Sequence, residues 1–122
     1  MIRKKVLLSV VAGLVISMLV FAADITGTWT ASFDTQIGVQ NYTLTFKVEG
    51  NKLTGHVKSQ YSDTDIQEGT ISGDDISFVE NLTYEGTPLR IVYKGKISGD
   101  EIKLSRNVAD IATEEAVAKR AK

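Results

Sequence analysis

The sequence contains no cysteine, and this absence excludes several classes of protein. Without thiols the chain forms no disulfide, so an exported disulfide scaffold is excluded. The cysteine that carries the lipid of an exported lipoprotein is also missing. The chain has a single histidine, His56, so a zinc site built from cysteine and histidine is excluded as well. We assign no metal and no cofactor from the sequence, which also has no Gly-x-Gly phosphate-binding loop.

Proline and positive charge are both scarce. The one proline, Pro88, lies at the start of a predicted strand, where a missing N–H does little harm. Beyond the first 22 residues the chain carries 11 Lys and Arg against 15 Asp and Glu, a net charge of −4. Nucleic-acid binding requires a basic face, and an anionic membrane surface attracts one too. We therefore expect neither nucleic acid nor a membrane surface as a partner.

The first 22 residues have the pattern of a secretory signal peptide. Arg3, Lys4 and Lys5 precede an apolar run over residues 6–23, and small side chains suit cleavage after Ala22. The alternative is an uncleaved membrane anchor, but the run is short for a membrane span. We predict a signal peptide over 1–22, one domain over 23–122, and export to the periplasm or the extracellular space.

The remaining sequence alternates with a period of two. Residues 42–49 read Tyr-Thr-Leu-Thr-Phe-Lys-Val-Glu, and residues 89–97 alternate in the same way. Successive side chains of a strand point to opposite faces, so this pattern is typical of half-buried strands. It predicts strands over 25–33, 40–49, 52–60, 66–72, 76–84, 89–97 and 101–107.

A short repeat predicts where these strands turn. Gly50-Asn51, Gly73-Asp74 and Gly99-Asp100 each stand between aliphatic segments, and such pairs tolerate the positive φ of tight hairpins. Residues 110–121 form either a capped short helix or an eighth strand. We favour the strand, because pairing it with the first strand leaves no open edge. The predicted fold is all-β, a single antiparallel up-and-down barrel of about eight strands.

The segment Asp24-Ile25-Thr26-Gly27-Thr28-Trp29 resembles the Gly-x-Trp signature of the lipocalin and calycin superfamily. Together with Leu53-Thr54-Gly55 it is also similar to the avidin group. Both are eight-stranded barrels that hold a small ligand in the mouth, and the resemblance implies that Arg120, or failing that Arg106, stacks over Trp29. The several tryptophans that surround biotin in avidins are absent, so biotin is not the expected ligand.

The part beyond the leader is similar, over nearly all its length, to small exported bacterial domains. These domains occur alone or appended to secreted carbohydrate-active enzymes, which implies a carbohydrate-associated setting. From the alternation alone, Gly27 and Trp29 lie on the inner face of the first strand. We expect Gly27, Trp29 and Arg120 to have structural roles.

Charged residues fall on faces that the pattern directs inward. Glu80 shares a face with Phe78 and Leu82, and Arg106 ends an inward series after Leu104. A carboxylate on an apolar face is costly unless it is paired or protonated. We expect a buried pair inside the barrel or a polar patch at its mouth.

Three more residues complete the predicted ligand site. Glu68 is expected to point inward, because alternation places it with Ile66 and Thr70. Tyr42 and Tyr93 are expected to form an amphipathic wall. Asp63-Thr64-Asp65 is interpreted as a solvated turn rather than a calcium loop, and His56 is placed on the outer face. No catalytic residue is assigned.

Three functions fit this interpretation. The first is a non-catalytic barrel that binds a small molecule or glycan through Tyr42, Glu68, Glu80, Tyr93 and Arg106. The second is a structural or accessory module of a secreted carbohydrate-active system, with a filled core and a protein partner. The third is a glycoside hydrolase that uses Glu68 and Glu80 as its two carboxylates, a chemistry that depends on their separation.

Overall fold

The computed structural model describes residues 23–121, and the predicted signal peptide lies outside the described residues. Within this part the chain forms nine strands, and no helix is long and apolar enough to span a membrane. The strands are β1 Gly27–Thr35, β2 Gly38–Glu49, β3 Lys52–Lys58, β4 Asp63–Asp65, β5 Gln67–Ser72, β6 Asp75–Tyr84, β7 Thr87–Ser98, β8 Glu101–Val108 and β9 Ala112–Arg120.

The strands close into an antiparallel barrel with eight positions in its wall. β9 pairs with β1, and β2 pairs with β3, so the sheet returns on itself. β4 and β5 both pair with β3 and share one position of the wall. The predicted fold class is confirmed, and residues 110–121 contain a strand rather than the alternative helix.

Strand β4 corrects one interpretation of the sequence. The sequence predicts a solvated turn over residues 63–65, but these residues pair antiparallel with β3, in the register His56↔Asp65 and Lys58↔Asp63. The short strand extends the wall toward one end of the barrel. A polar strand of three residues gives little hydrophobic signal, which is why its sequence resembles a turn.

Aromatic and aliphatic side chains from the inward faces of the strands form the core of the barrel. Trp29, Phe46, Phe78 and Tyr93 are fully buried. The Phe78 and Tyr93 rings stack with their centroids 4.5 Å apart, and Phe46 meets Phe78 edge to face at 5.6 Å. Aromatic burial of this kind supplies much of the free energy that stabilises a small domain.

The three Gly-Asn/Asp turns all lie at one end of the barrel, which we call the closed end. Backbone hydrogen bonds tie adjacent turns together: the Ile71 N–H donates to the Asn51 carbonyl, and the Ile97 N–H donates to the Asp74 carbonyl. Residues 23–26 complete this end. The connections at 36–37, 59–62, 85–86 and 109–111 form the opposite end, which we call the open end.

Candidate functional site

A cavity of about 400 Å³ occupies the open end of the barrel. Aliphatic side chains, three tyrosines and several polar side chains line it, and the four connections surround its entrance. Ile37, Tyr61 and Ile111 are at least half exposed on this rim. The most deeply buried lining residues form the floor, and they are Gln40, Tyr42, Ile91, Arg106 and Glu114.

Arg106 is the buried cation of the floor. It lies on β8 directly opposite Tyr93 of β7 and Glu114 of β9. Its Nε donates to Glu114 Oε1 at 2.7 Å, Nη2 lies 2.7 Å from the same oxygen, and Nη1 donates to Tyr93 Oη at 2.8 Å. The guanidinium also covers the Phe33 ring, 4.0 Å from its centroid. The ion pair and the ring together offset the cost of burying the charge.

Glu80 lies behind Tyr93 and is completely buried. Its Oε1 accepts a 2.8 Å hydrogen bond from Tyr93 Oη, and its Oε2 accepts bonds from Thr64 at 3.2 Å and Ser62 at 3.4 Å. Burial raises the pKa of Glu80, although the hydrogen bonds from Tyr93 and Thr64 act in the opposite direction.

The Tyr93 hydroxyl links Glu80 to Arg106. Burial, reinforced by Glu80, raises the pKa of Tyr93, so the phenol keeps its proton. It accepts from Arg106 and donates to Glu80, and the connected polar chain therefore runs Glu114–Arg106–Tyr93–Glu80 across the barrel. Within residues 23–121, no buried side-chain nitrogen or oxygen lacks a hydrogen-bond partner.

Most of the predicted site residues come together. Tyr42, Glu80, Tyr93 and Arg106 point into the barrel as predicted. The expected pairing of Glu80 with Arg106 is indirect, because the Tyr93 hydroxyl stands between them. Their roles in ligand binding stay predictions.

Glu68 is the exception, and its predicted inward direction is wrong. A β-bulge between Gln67 and Thr70 puts Glu68 at a φ of 53° and turns its side chain to the outer surface. There it forms a bidentate pair with Arg90, with distances of 2.9 and 3.2 Å. The hydrogen bonds from Arg90 lower the pKa of Glu68. The structure therefore does not bring Glu68 into the barrel with Glu80.

Sequence reasoning missed Glu114, Ser62 and Thr64. Glu114 could have been found from the β8–β9 hairpin, because a turn over 109–111 places residue 114 opposite Arg106. The pairing of Glu114 with Arg106 follows only if residues 110–121 form a strand, and the sequence left a helix as the alternative there. Thr64 lies within the segment interpreted as a turn, and Ser62 directly precedes that segment.

The three residues with predicted structural roles meet at the closed end. The Arg120 guanidinium lies 4.4 Å from the Trp29 ring centroid, as the resemblance implied, and its Nε donates to Asp100 at 3.1 Å. Trp29 Nε1 donates to the Ile25 carbonyl at 2.9 Å. A side chain at Gly27 would begin 3.7 Å from Arg120 Nη1, at a φ of 133° that favours glycine.

His56 lies on the outer face, as predicted, and does not line the cavity. Its Nδ1 is 2.9 Å from Asp65 Oδ1, and its Nε2 contacts Asp63. Across the described part of the chain, no cluster of three or more His, Cys, Asp or Glu is arranged to hold a metal ion.

The chain has no significant match among protein-family models, curated proteins or solved structures. The closed barrel is consistent with a lipocalin- or avidin-like fold. Function is therefore inferred from the site itself.

Proposed function

We propose that this protein is an exported, non-catalytic barrel that binds one small molecule or glycan unit in the cavity at its open end. The cavity carries this proposal. Its volume of about 400 Å³ is within the usual range for small-ligand sites, which are mostly apolar with a few placed polar groups. Arg106, Glu114 and Tyr42 supply those polar groups at the floor.

The barrel is filled at its closed end and hollow at its open end, and this difference supports ligand binding over a purely structural role. Small eight-stranded barrels either fill with side chains or hold one ligand. Here buried aromatic and aliphatic side chains fill the barrel from the closed end to the level of Tyr93 and Phe33, and the cavity occupies the rest. The Gly-x-Trp segment supports a relationship to lipocalin- and avidin-like barrels. The resemblance to small exported bacterial domains supports a carbohydrate-associated setting, and the signal-peptide pattern supports a periplasmic or extracellular location.

One observation favours a second candidate, an accessory module that contacts a protein partner. Ile37, Tyr61 and Ile111 form an exposed apolar rim around the cavity. Exposed apolar patches mark ligand grooves as well as protein interfaces. Because this rim surrounds an open cavity, we favour ligand entry as its role.

The test is a thermal-shift screen of the exported protein against oligosaccharides, octyl glycosides and small amphiphiles. A ligand at 100 times its Kd stabilises the folded state by about 2.7 kcal/mol, which raises the melting temperature of a domain of this size by several degrees. Each hit is then measured by calorimetry in two variants. Val108→Trp fills the cavity, whereas Val117→Trp adds the same bulk at an exposed position.

We expect Val108→Trp to abolish binding and Val117→Trp to leave it unchanged. Circular dichroism and melting of the unliganded variants establish that both are folded. The absence of any stabilising ligand, or equal losses in the two variants, would contradict the proposal and favour the accessory module.

A further inference from the structure

We infer that the ligand has an uncharged head group, one that both donates and accepts hydrogen bonds at Arg106 and Glu114. This inference rests on the proposed function, since it concerns the floor of the same cavity. A buried arginine at the bottom of an apolar pocket suggests an anionic ligand at first sight. The contacts of Arg106 lead to a different conclusion.

The charge of Arg106 is already matched. Among the described residues that line the cavity, Arg106 is the one base, whereas Glu85 and Glu114 are both acids. Two nitrogens of Arg106 lie 2.7 Å from Glu114 Oε1, and Glu80 stands on the far side of Tyr93. An anion on this floor would lose its hydration beside a carboxylate with no net positive charge in return, which is unfavourable.

The floor still has hydrogen-bonding capacity of both kinds. Glu114 Oε1 receives the contacts from Arg106, and within residues 23–121 Oε2 has no hydrogen-bond partner. Because every buried side-chain oxygen in this part has a partner, Oε2 must be accessible. Arg106 has five N–H groups, of which Nε and Nη2 each direct one to Glu114 Oε1 and Nη1 donates one to Tyr93. The second N–H of each Nη atom is left, so an acceptor and a donor lie side by side.

Such a floor matches a primary amide or two adjacent sugar hydroxyls. In each, an oxygen accepts from Arg106 while an N–H or O–H donates to Glu114 Oε2. The wall above presents mostly apolar surface, from aliphatic side chains such as Leu82, Leu89 and Ile91 together with tyrosine rings, so we expect a largely apolar body attached to the head. The ligand class is thus a neutral amphiphile, and a fatty acid or other anionic amphiphile is disfavoured.

The test uses octanamide and octanoate, which have the same shape and differ in charge, and octyl glucoside as the sugar-headed probe. Calorimetry with the exported protein at pH 7.5 measures all three. We expect octanamide and octyl glucoside to bind at least about tenfold more tightly than octanoate, because the amide and the sugar satisfy Glu114 Oε2 and the carboxylate does not.

Glu114→Gln sharpens the test, because it removes the counter-charge of Arg106 with little change in shape. We expect octanoate to bind about tenfold more tightly than in the unsubstituted protein and octanamide to bind several-fold more weakly, which reverses their order. Glu115→Gln is the matched control. It removes an equal charge from the next residue of β9, which is exposed and does not line the cavity, and it should leave the order of affinities unchanged.

A preference of the unsubstituted protein for octanoate would overturn this inference while the proposed binding function stands. An unchanged order in Glu114→Gln, with the variant folded by circular dichroism, would overturn it too. If none of the three probes binds and the wider screen finds no ligand, the proposed function fails and the inference fails with it.

Discussion

The two ends of this barrel are made from the same strands but differ in their turns and contents. At the closed end, Gly50, Gly73 and Gly99 occupy the left-handed region at φ values of 64°, 57° and 61°. At the open end, Glu85, Ala109 and Asp110 adopt similar values of 50°, 50° and 61°. Glycine adopts this conformation freely, whereas an L-residue with a side chain incurs about 1–2 kcal/mol.

The closed end carries the contacts that stabilise the barrel, whereas the open end carries the cavity for which we propose ligand binding. The closed end has relaxed turns, hydrogen bonds between neighbouring turns, and Trp29 covered by Arg120. The ladder that closes the barrel, Trp29↔Arg120 and Thr30↔Lys119, is also at this end. At the open end, two of the four connections contain residues other than glycine in the left-handed region, and this end also has exposed apolar side chains and the cavity. Backbone strain is tolerated at binding sites when the rest of the fold supports it.

Removing the closed-end tryptophan should have the largest effect. Trp29→Ala takes away a fully buried side chain, and we expect a loss of about 3–5 kcal/mol in the free energy of unfolding. That loss is a large fraction of the stability of a small domain. Urea denaturation followed by circular dichroism measures it.

Tyr61→Ala at the rim is the matched comparison for this prediction. Tyr61 is 51% exposed, and its ring meets Tyr84 edge to face at 5.8 Å. We expect a loss of about 1 kcal/mol or less. Equal losses in the two variants would break the contrast between the ends.

The next largest effect is a dependence of stability on pH. It comes from Glu80, which lies between the filled part of the barrel and the cavity. The folded-state pKa of Glu80 is raised above 4.5 by burial, so folding favours the protonated form. Its contribution to stability is complete below about pH 4.5 and is lost as pH rises through the folded-state pKa. Between those two values, stability falls by about 1.4 kcal/mol per pH unit.

Glu80→Gln isolates this contribution, because glutamine keeps the shape and cannot ionise. We expect the variant to gain stability relative to the unsubstituted protein as the pH of parallel urea titrations rises from 4 to 8. Groups such as Asp24 and Glu68, whose pKa values are lowered, are common to both proteins and cancel in the difference. A difference that is constant with pH would contradict the raised pKa.

The barrel was predictable from the sequence where one physical pattern decided the outcome. Alternation fixed the inner faces of β6 and β8, and therefore the burial of Glu80 and Arg106. The Gly-Asn/Asp repeat located the three closed-end turns. The placement of Arg120 over Trp29 came from the family resemblance.

The errors arose where the backbone departs from that pattern. One bulged residue is enough to move Glu68 from the inner to the outer face, because the side-chain period of a strand is two. The partnership of Arg106 with Glu114 depends on the register of two strands, which alternation alone does not give. The connections of the open end share no repeated sequence, so no sequence pattern predicts that the barrel is hollow there.

The smallest expected effect tests the strain itself, through opposite substitutions at the two ends. A Cβ at Gly99 would meet no atom within 4 Å, so Gly99→Ala changes only the cost of a φ of 61°. We expect it to lower the free energy of unfolding by about 1 kcal/mol.

Ala109→Gly should act in the reverse direction at the open end. Removing the Cβ from a residue in the left-handed conformation raises the free energy of unfolding by about 1–2 kcal/mol. The greater freedom of glycine in the unfolded chain lowers it by about 0.4–1 kcal/mol. A net gain of up to about 1 kcal/mol corresponds to a rise of up to about 4–8 °C in melting temperature, which scanning calorimetry resolves. If Ala109→Gly instead destabilises the fold as Gly99→Ala does, the open-end turn is not strained, and the two ends differ only in what they enclose.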